Sequence, residues 1–309
     1  MAFEFESKQR VVVIGGGPGG YEAALSAAQL GAEVTLIERQ GIGGAAVLTD
    51  VVPSKTLIAT AEFTSTLGRS EELGVKYFVT GDDNKAHKPE VAVNLSAVNK
   101  RLLGLAQATS DDMQDALRKA GVNVVDGHAR LDGTHAVIAS TTAGGTDFDR
   151  FEADTIVVSV GASPRVLPSA MPDGERILTW TQLYNLNELP EHIIVIGSGV
   201  TGAEFASAYS SLGSQVTLVS SRDTVLPGED ADATAVLEEV FERRGMNLLS
   251  KARAEKVERT QTGVKVTLGD GTVLEGSHCL MAVGSVPNTA ELGLEQAGVE
   301  MDEGGRIRV

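Results

Sequence analysis

Apolar and polar positions along the chain follow two different periods, and together these predict an α/β protein. Short apolar runs occur at residues 11–14 and 193–196, and each leads directly into a glycine-rich turn. After each turn, apolar residues recur at helical spacing until a glycine precedes a second apolar run, at 34–37 and 216–218. This order of strand, turn, helix and strand, found twice, predicts two doubly wound, Rossmann-like domains.

The two units are copies of each other at a constant offset. The first glycine of the turn is Gly15 in one unit and Gly197, 182 positions later, in the other. The positions identical at this offset include Glu22 and Glu204, Ala24 and Ala206, Leu30 and Leu212, Gly31 and Gly213, and the tripeptides 34–36 and 216–218. A lone GxGxxG has many false matches in a chain with 35 glycines, whereas a repeated unit is far more specific.

Each turn has the pattern of a dinucleotide site. Gly15 permits the bend, Gly17 lets the backbone approach a pyrophosphate, and Gly20 allows the helix to pack closely on the strand. The helix begins at the ligand, where its unpaired N–H groups and positive dipole end stabilise a diphosphate. Neither turn is followed by Gly-Lys-Ser/Thr, which excludes a kinase-type P-loop. Two dinucleotide sites in one chain predict electron transfer between two cofactors.

The two units differ where their second strands end. Glu38 ends the first unit, and its carboxylate can accept hydrogen bonds from both hydroxyls of an adenosine ribose. Ser220 takes the equivalent position and is followed by Ser221 and Arg222, whose hydroxyl and guanidinium groups could bind a 2′-phosphate. This favours NADP(H) over NAD(H). Gly202 argues the other way, since NADP sites often have Ala there, and an ordinary polar turn that admits both cofactors is the alternative.

Patterns in the rest of the chain predict the remaining elements. Residues 43–70 should form one helix, in which local packing tolerates Pro53, and residues 93–120 a pair of amphipathic helices. Prolines at 164, 168 and 172 should mark a crossing between domains, and Trp180 and Tyr184 should pack in a core. The sequence also predicts a polar loop at 81–85, three short strands within 122–157 with turns at 132–133 and 144–145, and strands at 257–268 and 273–283.

Composition narrows the choice of partners. The chain has 309 residues with 42% apolar content, enough for two cores, and a net charge of −16 that argues against nucleic acid. The N-terminus lacks the features of a signal peptide and no apolar stretch is long enough to cross a bilayer, so we expect a cytoplasmic protein without an integral membrane segment. Cys279, the sole cysteine, lies in an apolar run and should be a buried strand residue.

The paired glycine turns resemble those of the flavoprotein disulfide reductases, the family of dihydrolipoamide dehydrogenase, glutathione reductase and mercuric reductase. The resemblance spans nearly the whole chain. It implies that the first turn binds FAD, that the second binds NADP(H) or NAD(H), and that the NAD(P) domain is inserted in the FAD domain beside a small β-meander crossover. The implied ranges are residues 1–155 for the FAD domain, 156–280 for the NAD(P) domain and 281–309 for the return into the FAD domain.

The segment that carries the redox-active cysteines in this family is altered here. Within the aligned residues 43–55, Ala46 and Val51 occupy both cysteine positions. Thiol exchange needs a thiolate to attack a sulfur and a second sulfur to close the ring, so no activity on lipoamide or glutathione disulfide is expected. Residues 41–48 and 162–169 resemble a subgroup of actinobacterial NAD(P)H:quinone reductases. That resemblance implies a flavoprotein enzyme that passes two electrons from reduced FAD directly to a quinone.

The resemblance also assigns residues to the sites. Lys55 matches the family's lysine near flavin N5 and Glu204 the carboxylate that pairs with it, which makes these two the predicted catalytic residues. A surface lysine and a glutamate that favours the helix dipole are the alternative. The residues predicted to bind FAD are Gly15, Gly17, Pro18, Gly19, Gly20, Glu38, Arg39, Gly43, Gly44, Ala45, Lys55, His128, Ala129, Ser159, Val160 and Gly161. Those predicted to bind NAD(P) are Gly197, Gly199, Val200, Thr201, Gly202, Glu204, Ser220, Ser221, Arg222, Val257 and Gly284, and no metal site is predicted.

Two departures from the family limit these expectations. Family members continue into a G-D motif that binds the flavin and a dimerisation domain with a His/Glu pair, whereas this chain ends at Val309. We therefore expect a fragment of a homodimeric protein with weakened FAD binding. Ser285 stands where the family usually has an arginine. The alternative functions are a dihydrolipoyl dehydrogenase, which Ala46 and Val51 argue against, and a non-catalytic nucleotide-binding or redox-sensing module.

Overall fold

The computed structural model describes residues 8–80, 86–87, 91–140 and 147–309. The chain forms two compact units, each assembled from separate segments. Unit 1 comprises Met1–Pro53, Leu103–Ser163 and Ser285–Val309, and unit 2 comprises Ser54–Leu102 and Pro164–Gly284. The predicted loop at 81–85 and the predicted turn at 144–145 lie outside the described residues.

Strands, α-helices and one 3₁₀ helix occur in the described part of the chain. They are β1 (Arg10–Ile14), α1 (Pro18–Gln29), β2 (Glu33–Glu38), α2 (Gly44–Leu48), α3 (Val51–Gly68), β3 (Val79–Thr80), β4 (Ala86–His87), α4 (Leu95–Lys119), β5 (Asn123–Asp126), β6 (His128–Leu131), β7 (Ala136–Ser140), β8 (Asp149–Glu152), β9 (Thr155–Val158), β10 (Ala162–Pro164), β11 (Ile177–Thr179), a 3₁₀ helix (Trp180–Asn185), β12 (His192–Ile196), α5 (Val200–Leu212), β13 (Gln215–Val219), α6 (Ala231–Arg243), β14 (Asn247–Leu249), β15 (Ala254–Arg259), β16 (Val264–Leu268), β17 (Val273–Gly276), β18 (His278–Met281) and β19 (Ser285–Pro287).

Unit 1 is built on a parallel sheet with the strand order β5-β2-β1-β9. The apolar run that precedes the first glycine turn forms β1, one of the two central strands of this sheet. Val13 of β1 pairs with Leu36 of β2. Both side chains are fully buried, in one core cluster with Ala24 of α1. A separate antiparallel sheet of β6, β7 and β8 forms the predicted meander, while β5 and β9, which lie in the same predicted range, belong to the parallel sheet.

Unit 2 repeats this arrangement with a parallel sheet in the order β11-β18-β12-β13-β14. Val195 of β12 pairs with Leu218 of β13, which are the positions 182 residues after Val13 and Leu36. Phe205 and Tyr209 of α5 are almost completely buried in its largest core, and the predicted packing residues Trp180 and Tyr184 lie in the same cluster. An antiparallel sheet of β15, β16 and β17 completes the unit. The two parallel sheets confirm the predicted α/β fold class.

Two predicted helices differ from the observed ones. The helix predicted at 43–70 is interrupted, because α2 ends at Leu48 and α3 begins at Val51. Pro53 therefore lies in the first turn of α3, where a missing N–H is harmless, and no packed bend is needed to hold it. The helix pair predicted at 93–120 is the single helix α4, which continues through the exposed Gly104.

The contact-based units also differ from the predicted domain ranges. Residues 54–102 pack with unit 2 because Leu57 of α3 and Leu102 of α4 lie in the same core cluster as Phe205. The ranges 1–155, 156–280 and 281–309 remain a prediction about the cofactor domains. Within the residues that can be described, no helix is both long and apolar enough to cross a bilayer.

Candidate functional site

The first glycine turn joins β1 to α1 in unit 1 and leaves room for a ligand. Gly15 has a φ of +100°, and a Cβ there would lie 2.2 Å from the carbonyl oxygen of Ser159, so only glycine fits. Gly17 precedes α1 and has no side-chain cap, and a Cβ on it would meet no atom within 4 Å. Open space thus adjoins the N-terminus of α1, as a site for a pyrophosphate requires.

The second glycine turn reproduces the first in unit 2. Gly197 has a φ of +110°, and a Cβ there would lie 2.2 Å from the carbonyl oxygen of Ala282. Gly199 precedes α5 without a side-chain cap and with the same open space. A Cβ on Gly202 would lie 1.8 Å from the carbonyl oxygen of Gly197, which explains glycine at the position where NADP sites often have alanine.

Other residues predicted to bind FAD surround the first turn. Glu38 is buried at the end of β2, where its Oε2 accepts a hydrogen bond from the N–H of Gly16 at 2.6 Å and its Oε1 accepts from Arg39 and Gln40. The N–H of Gly43 donates to the carbonyl oxygen of Gly16 at 2.7 Å. The structure thus brings the carboxylate and the 43–44 segment to the glycine turn.

Four further predicted positions belong to the strands and turns beside this one. Ser159 and Val160 follow β9, the strand beside β1, and the N–H of Ser159 donates to the carbonyl oxygen of Ile14. His128 and Ala129 begin β6 just after Gly127, whose N–H donates to the carbonyl oxygen of Glu38. Their contacts with FAD remain a prediction.

The end of β13 differs from the prediction for Ser220. This side chain is 2% exposed, and its Oγ lies 2.7 Å from Oγ of Ser198 and accepts a hydrogen bond from the N–H of Arg222 at 3.0 Å. Its hydroxyl is therefore not presented to a ligand, while Ser221 and Arg222 are exposed. The pattern predicted polar residues here, but it did not show that the first of them points inward.

Two other predicted NAD(P) positions, Val257 and Gly284, lie on segments other than the second glycine turn. Val257 of β15 is buried in a core cluster with Ile194, and its N–H donates to the carbonyl oxygen of Ser169. Gly284 has a φ of +91° and accepts a hydrogen bond from the N–H of Arg165. A role in binding NAD(P) stays a prediction for both.

Lys55 and Glu204 form the predicted ion pair within unit 2. Nζ of Lys55, on α3, lies 2.6 Å from Oε1 and 2.8 Å from Oε2 of Glu204, on α5. The side chains are 53% and 31% exposed, so the pair is accessible to a ligand and contributes little to stability. The structure thus confirms that Lys55 and Glu204 form an ion pair. The position of this pair beside flavin N5 remains a prediction.

A cavity of about 460 Å³ adjoins this ion pair. It lies between α3, α5 and α6, with apolar walls from Ile58, Ala61, Val200 and Phe241, and Glu204 contributes to its lining. Glu62, Arg69 and Arg244 add charged groups to the lining, so the cavity suits a small molecule that has an apolar body and polar substituents.

The family's two cysteine positions carry no thiol in this chain. Ala46 lies in α2 and Val51 begins α3, so neither family cysteine position can take part in thiol exchange. Cys279 is fully buried in β18, where it pairs with Ile177 of β11 and Ile194 of β12. Burial raises the pKa of its thiol, which removes the thiolate form needed for reaction.

The buried position of Cys279 predicts resistance to thiol reagents. We expect iodoacetamide to leave the native protein unmodified, because the thiol is neutral and inaccessible. Mass spectrometry should show one added carbamidomethyl group only after unfolding in guanidinium chloride. Alkylation of the folded protein at the same rate as the unfolded protein would contradict the assignment of Cys279 to the core.

Comparisons with known proteins agree with this geometry. The family described as Pyridine nucleotide-disulphide oxidoreductase matches residues 9–309. The chain is 50% identical over 309 residues to an NAD(P)H dehydrogenase (quinone) of Mycobacterium tuberculosis (strain ATCC 25618 / H37Rv), covering 97% of this chain and 60% of that protein. It is 33% identical over 298 residues to a dihydrolipoyl dehydrogenase of Zymomonas mobilis, covering 95% of this chain and 61% of that protein.

A solved structure of a mycobacterial protein is similar to this chain in both fold and sequence. The crystal structure of LpdA from Mycobacterium tuberculosis matches with a TM-score of 0.86 and 49% sequence identity, covering 96% of this chain and 63% of that one. The chain thus spans about three fifths of the length of the relatives it matches.

Proposed function

We propose that this chain, which belongs to the pyridine nucleotide-disulphide oxidoreductase family, carries the dinucleotide sites of a FAD-dependent NAD(P)H dehydrogenase that reduces quinones without a disulfide relay. One observation carries the proposal: the Lys55–Glu204 pair is kept, whereas Ala46 and Val51 replace both redox cysteines. The relative named NAD(P)H dehydrogenase (quinone) supports a quinone as the acceptor.

The residues present fit both cofactors. The open space at Gly17 and Gly199, each before an uncapped helix, suits two pyrophosphates, and Glu38 suits a ribose with free hydroxyls. Family membership confirms the prediction of FAD and a nicotinamide cofactor. When bound, FAD supplies hydride acceptance from the nicotinamide and two-electron delivery to an acceptor.

The chain's own residues bind and orient these groups. The helix N-termini of α1 and α5 would hold the diphosphates by backbone N–H groups, so no basic side chain is needed in either turn. The ammonium of Lys55 favours negative charge that develops nearby, and Glu204 fixes its direction by accepting both hydrogen bonds. The apolar walls of the adjoining cavity suit a flat, uncharged acceptor such as a quinone.

A quinone assay tests this proposal. The purified protein, reconstituted with FAD, is expected to oxidise NADPH with a naphthoquinone or a benzoquinone and to show no turnover with lipoamide. Free FAD at the same concentration is the control. Quinone reduction no faster than with free FAD would remove the proposal, and lipoamide-dependent turnover would favour the dihydrolipoyl dehydrogenase alternative. A protein that cannot be loaded with FAD would favour the non-catalytic nucleotide-binding or redox-sensing module.

A charge at the end of β13 should change the coenzyme preference. Ser220→Glu places a carboxylate where Glu38 stands in the first unit, and a carboxylate repels a 2′-phosphate. We expect kcat/KM for NADPH relative to NADH to fall by about tenfold or more, which corresponds to a repulsion of about 1.4 kcal/mol. Ser220→Ala separates the added charge from the lost hydroxyl. An unchanged ratio in Ser220→Glu would contradict the preference for NADPH.

The proposal includes the location, the oligomeric state and the partners of the protein. We propose a cytoplasmic enzyme whose full-length form is a homodimer, with a small-molecule quinone as its acceptor and with no nucleic-acid partner. Size-exclusion chromatography with light scattering of the full-length form tests the dimer.

A further inference from the structure

A small cationic surface lies at the end of β13 and consists of Ser221, Arg222 and Lys251. We propose that Lys251, together with Ser221 and Arg222, binds the 2′-phosphate of NADPH, and that the buried Ser198–Ser220 hydroxyl pair positions this subsite. The inference deepens the proposed function, on which it depends for the identity of the electron donor. Lys251 has no counterpart in the motif from which the nucleotide site was predicted.

Lys251 is held beside Arg222 by the backbone. Its N–H donates to the carbonyl oxygen of Arg222 at 2.9 Å, and the N–H of the next residue, Ala252, donates to the carbonyl oxygen of Ser220 at 2.8 Å. Nζ of Lys251 lies 3.8 Å from Oδ1 of Asp223, and both side chains are more than 70% exposed. The turn between β14 and β15 thus places a second cation next to the end of β13.

The backbone around this surface is strained. Lys251 and Leu226, with φ values of 55° and 52°, are the non-glycine residues with positive φ in the described part of the chain. Such conformations persist where the surroundings enforce them, and they cluster at ligand sites. Leu226 closes the loop that contains Arg222, because its N–H donates to the carbonyl oxygen of Ser198 at 2.8 Å. Both strained residues therefore lie on the segments that form the proposed subsite.

The hydroxyl pair takes the place of the carboxylate found in the first unit. There, Glu38 accepts hydrogen bonds from the N–H groups of Gly16, Arg39 and Gln40. Here Ser220 contacts Ser198, the residue equivalent to Gly16, and accepts from the N–H of Arg222. Ser198 Oγ also donates to the carbonyl oxygen of Thr224 at 3.3 Å. The loop is held as in the first unit, but without a negative charge.

The charges on this surface suit a phosphate monoester. Such a group carries a charge of about −1.5 to −2 at neutral pH, which Arg222 can bind as a planar fork and Lys251 as a point charge. Asp223 is the opposing group, since its carboxylate lies next to Lys251 and competes with a bound phosphate. In a chain with a net charge of −16, two neighbouring exposed cations, of which only Lys251 faces a carboxylate in a described ion pair, favour an anion at this place.

Binding of adenosine 2′,5′-bisphosphate and 5′-AMP to the purified protein, measured by titration calorimetry, tests the proposal. We expect the bisphosphate to bind about tenfold or more tightly than AMP, and Lys251→Asn and Arg222→Gln each to weaken the bisphosphate roughly tenfold without affecting AMP. Asparagine is chosen because it tolerates a positive φ. Asp223→Asn should strengthen bisphosphate binding, and Lys256→Asn, on the neighbouring strand, should change neither affinity.

The positioning role needs its own readout. Ser198→Ala should reduce the preference for the bisphosphate over AMP, and Ser198→Thr should restore it, because a hydroxyl is again available to Thr224 and Ser220. A purely structural role would weaken both nucleotides equally. Equal affinities in the wild type, or a preference unchanged in Lys251→Asn, would overturn the proposal. The assay needs neither flavin nor quinone, so its failure is distinguishable from failure of the proposed enzymatic function.

Discussion

Replacing Gly197 with alanine is expected to lower the free energy of unfolding by roughly 2–5 kcal/mol, from combined backbone strain and overpacking. Gly197 has a φ of +110°, and the added Cβ would lie 2.2 Å from the carbonyl oxygen of Ala282. This is backbone, so no side chain can move aside to relieve the clash. Gly15→Ala should behave in the same way in unit 1, because its Cβ would lie 2.2 Å from the carbonyl oxygen of Ser159. Denaturant unfolding followed by circular dichroism measures both effects.

Gly199→Ala and Gly17→Ala are the matched controls. Both positions have negative φ values, and their Cβ atoms would meet no heavy atom within 4 Å. We expect their stability to change by about 0.5 kcal/mol or less, as at other unstrained open sites. Their nucleotide affinity should nevertheless fall, because the methyl group occupies space reserved for a pyrophosphate. If Gly197→Ala were as stable as Gly199→Ala, the tight turn described here would be wrong.

Lys55→Met is expected to slow reduction of the flavin by NADPH by roughly 100-fold, the effect typical of removing one oriented electrostatic contact. The substitution keeps the length of the side chain and removes the charge held by Glu204 at 2.6 Å. Stability should change little, because the pair is partly exposed and such pairs contribute about 0–1 kcal/mol. Stopped-flow absorbance of the FAD-loaded protein separates this step from quinone reduction.

Lys256→Met provides the control for that experiment. Lys256 is an exposed lysine of unit 2 whose Nζ lies 2.7 Å from Oε1 of Glu258, so it forms a comparable surface ion pair away from the glycine turns. Glu204→Gln should slow flavin reduction less than Lys55→Met, since the ammonium remains but loses its fixed direction. A rate for Lys55→Met equal to that of Lys256→Met would show that Lys55 is only a surface lysine.

The repeated unit was predictable because its determinants are local. An apolar run, a glycine that must adopt positive φ and a helix of small residues all lie within a few positions, and the structure repeats their register at the same offset. The interruption between α2 and α3 was harder to predict, since the apolar pattern continues across it. The packing of residues 54–102 with unit 2 depends on contacts of Leu57 and Leu102 with a core far away in sequence.

The details of the second nucleotide site could be predicted only in part. Ser220, Ser221 and Arg222 are polar in sequence, but whether each hydroxyl faces the solvent depends on Ser198, which lies 22 residues earlier. Lys251 was missed because nothing in the chain near it marks a nucleotide site. Its position follows from backbone hydrogen bonds between β13 and the turn after β14, which form only in the folded sheet.

Cys279 is completely buried, and residues 46 and 51 contain no sulfur. These two features determine how sensitive the protein is to oxidants. Peroxide and hypochlorous acid disable thiol enzymes by converting exposed, ionised cysteines to sulfenic and higher acids. In the enzyme that we propose, positions 46 and 51 offer these oxidants no thiol to attack. We therefore expect the proposed reduction of acceptors to continue at peroxide levels that inactivate relatives whose catalysis depends on a dithiol.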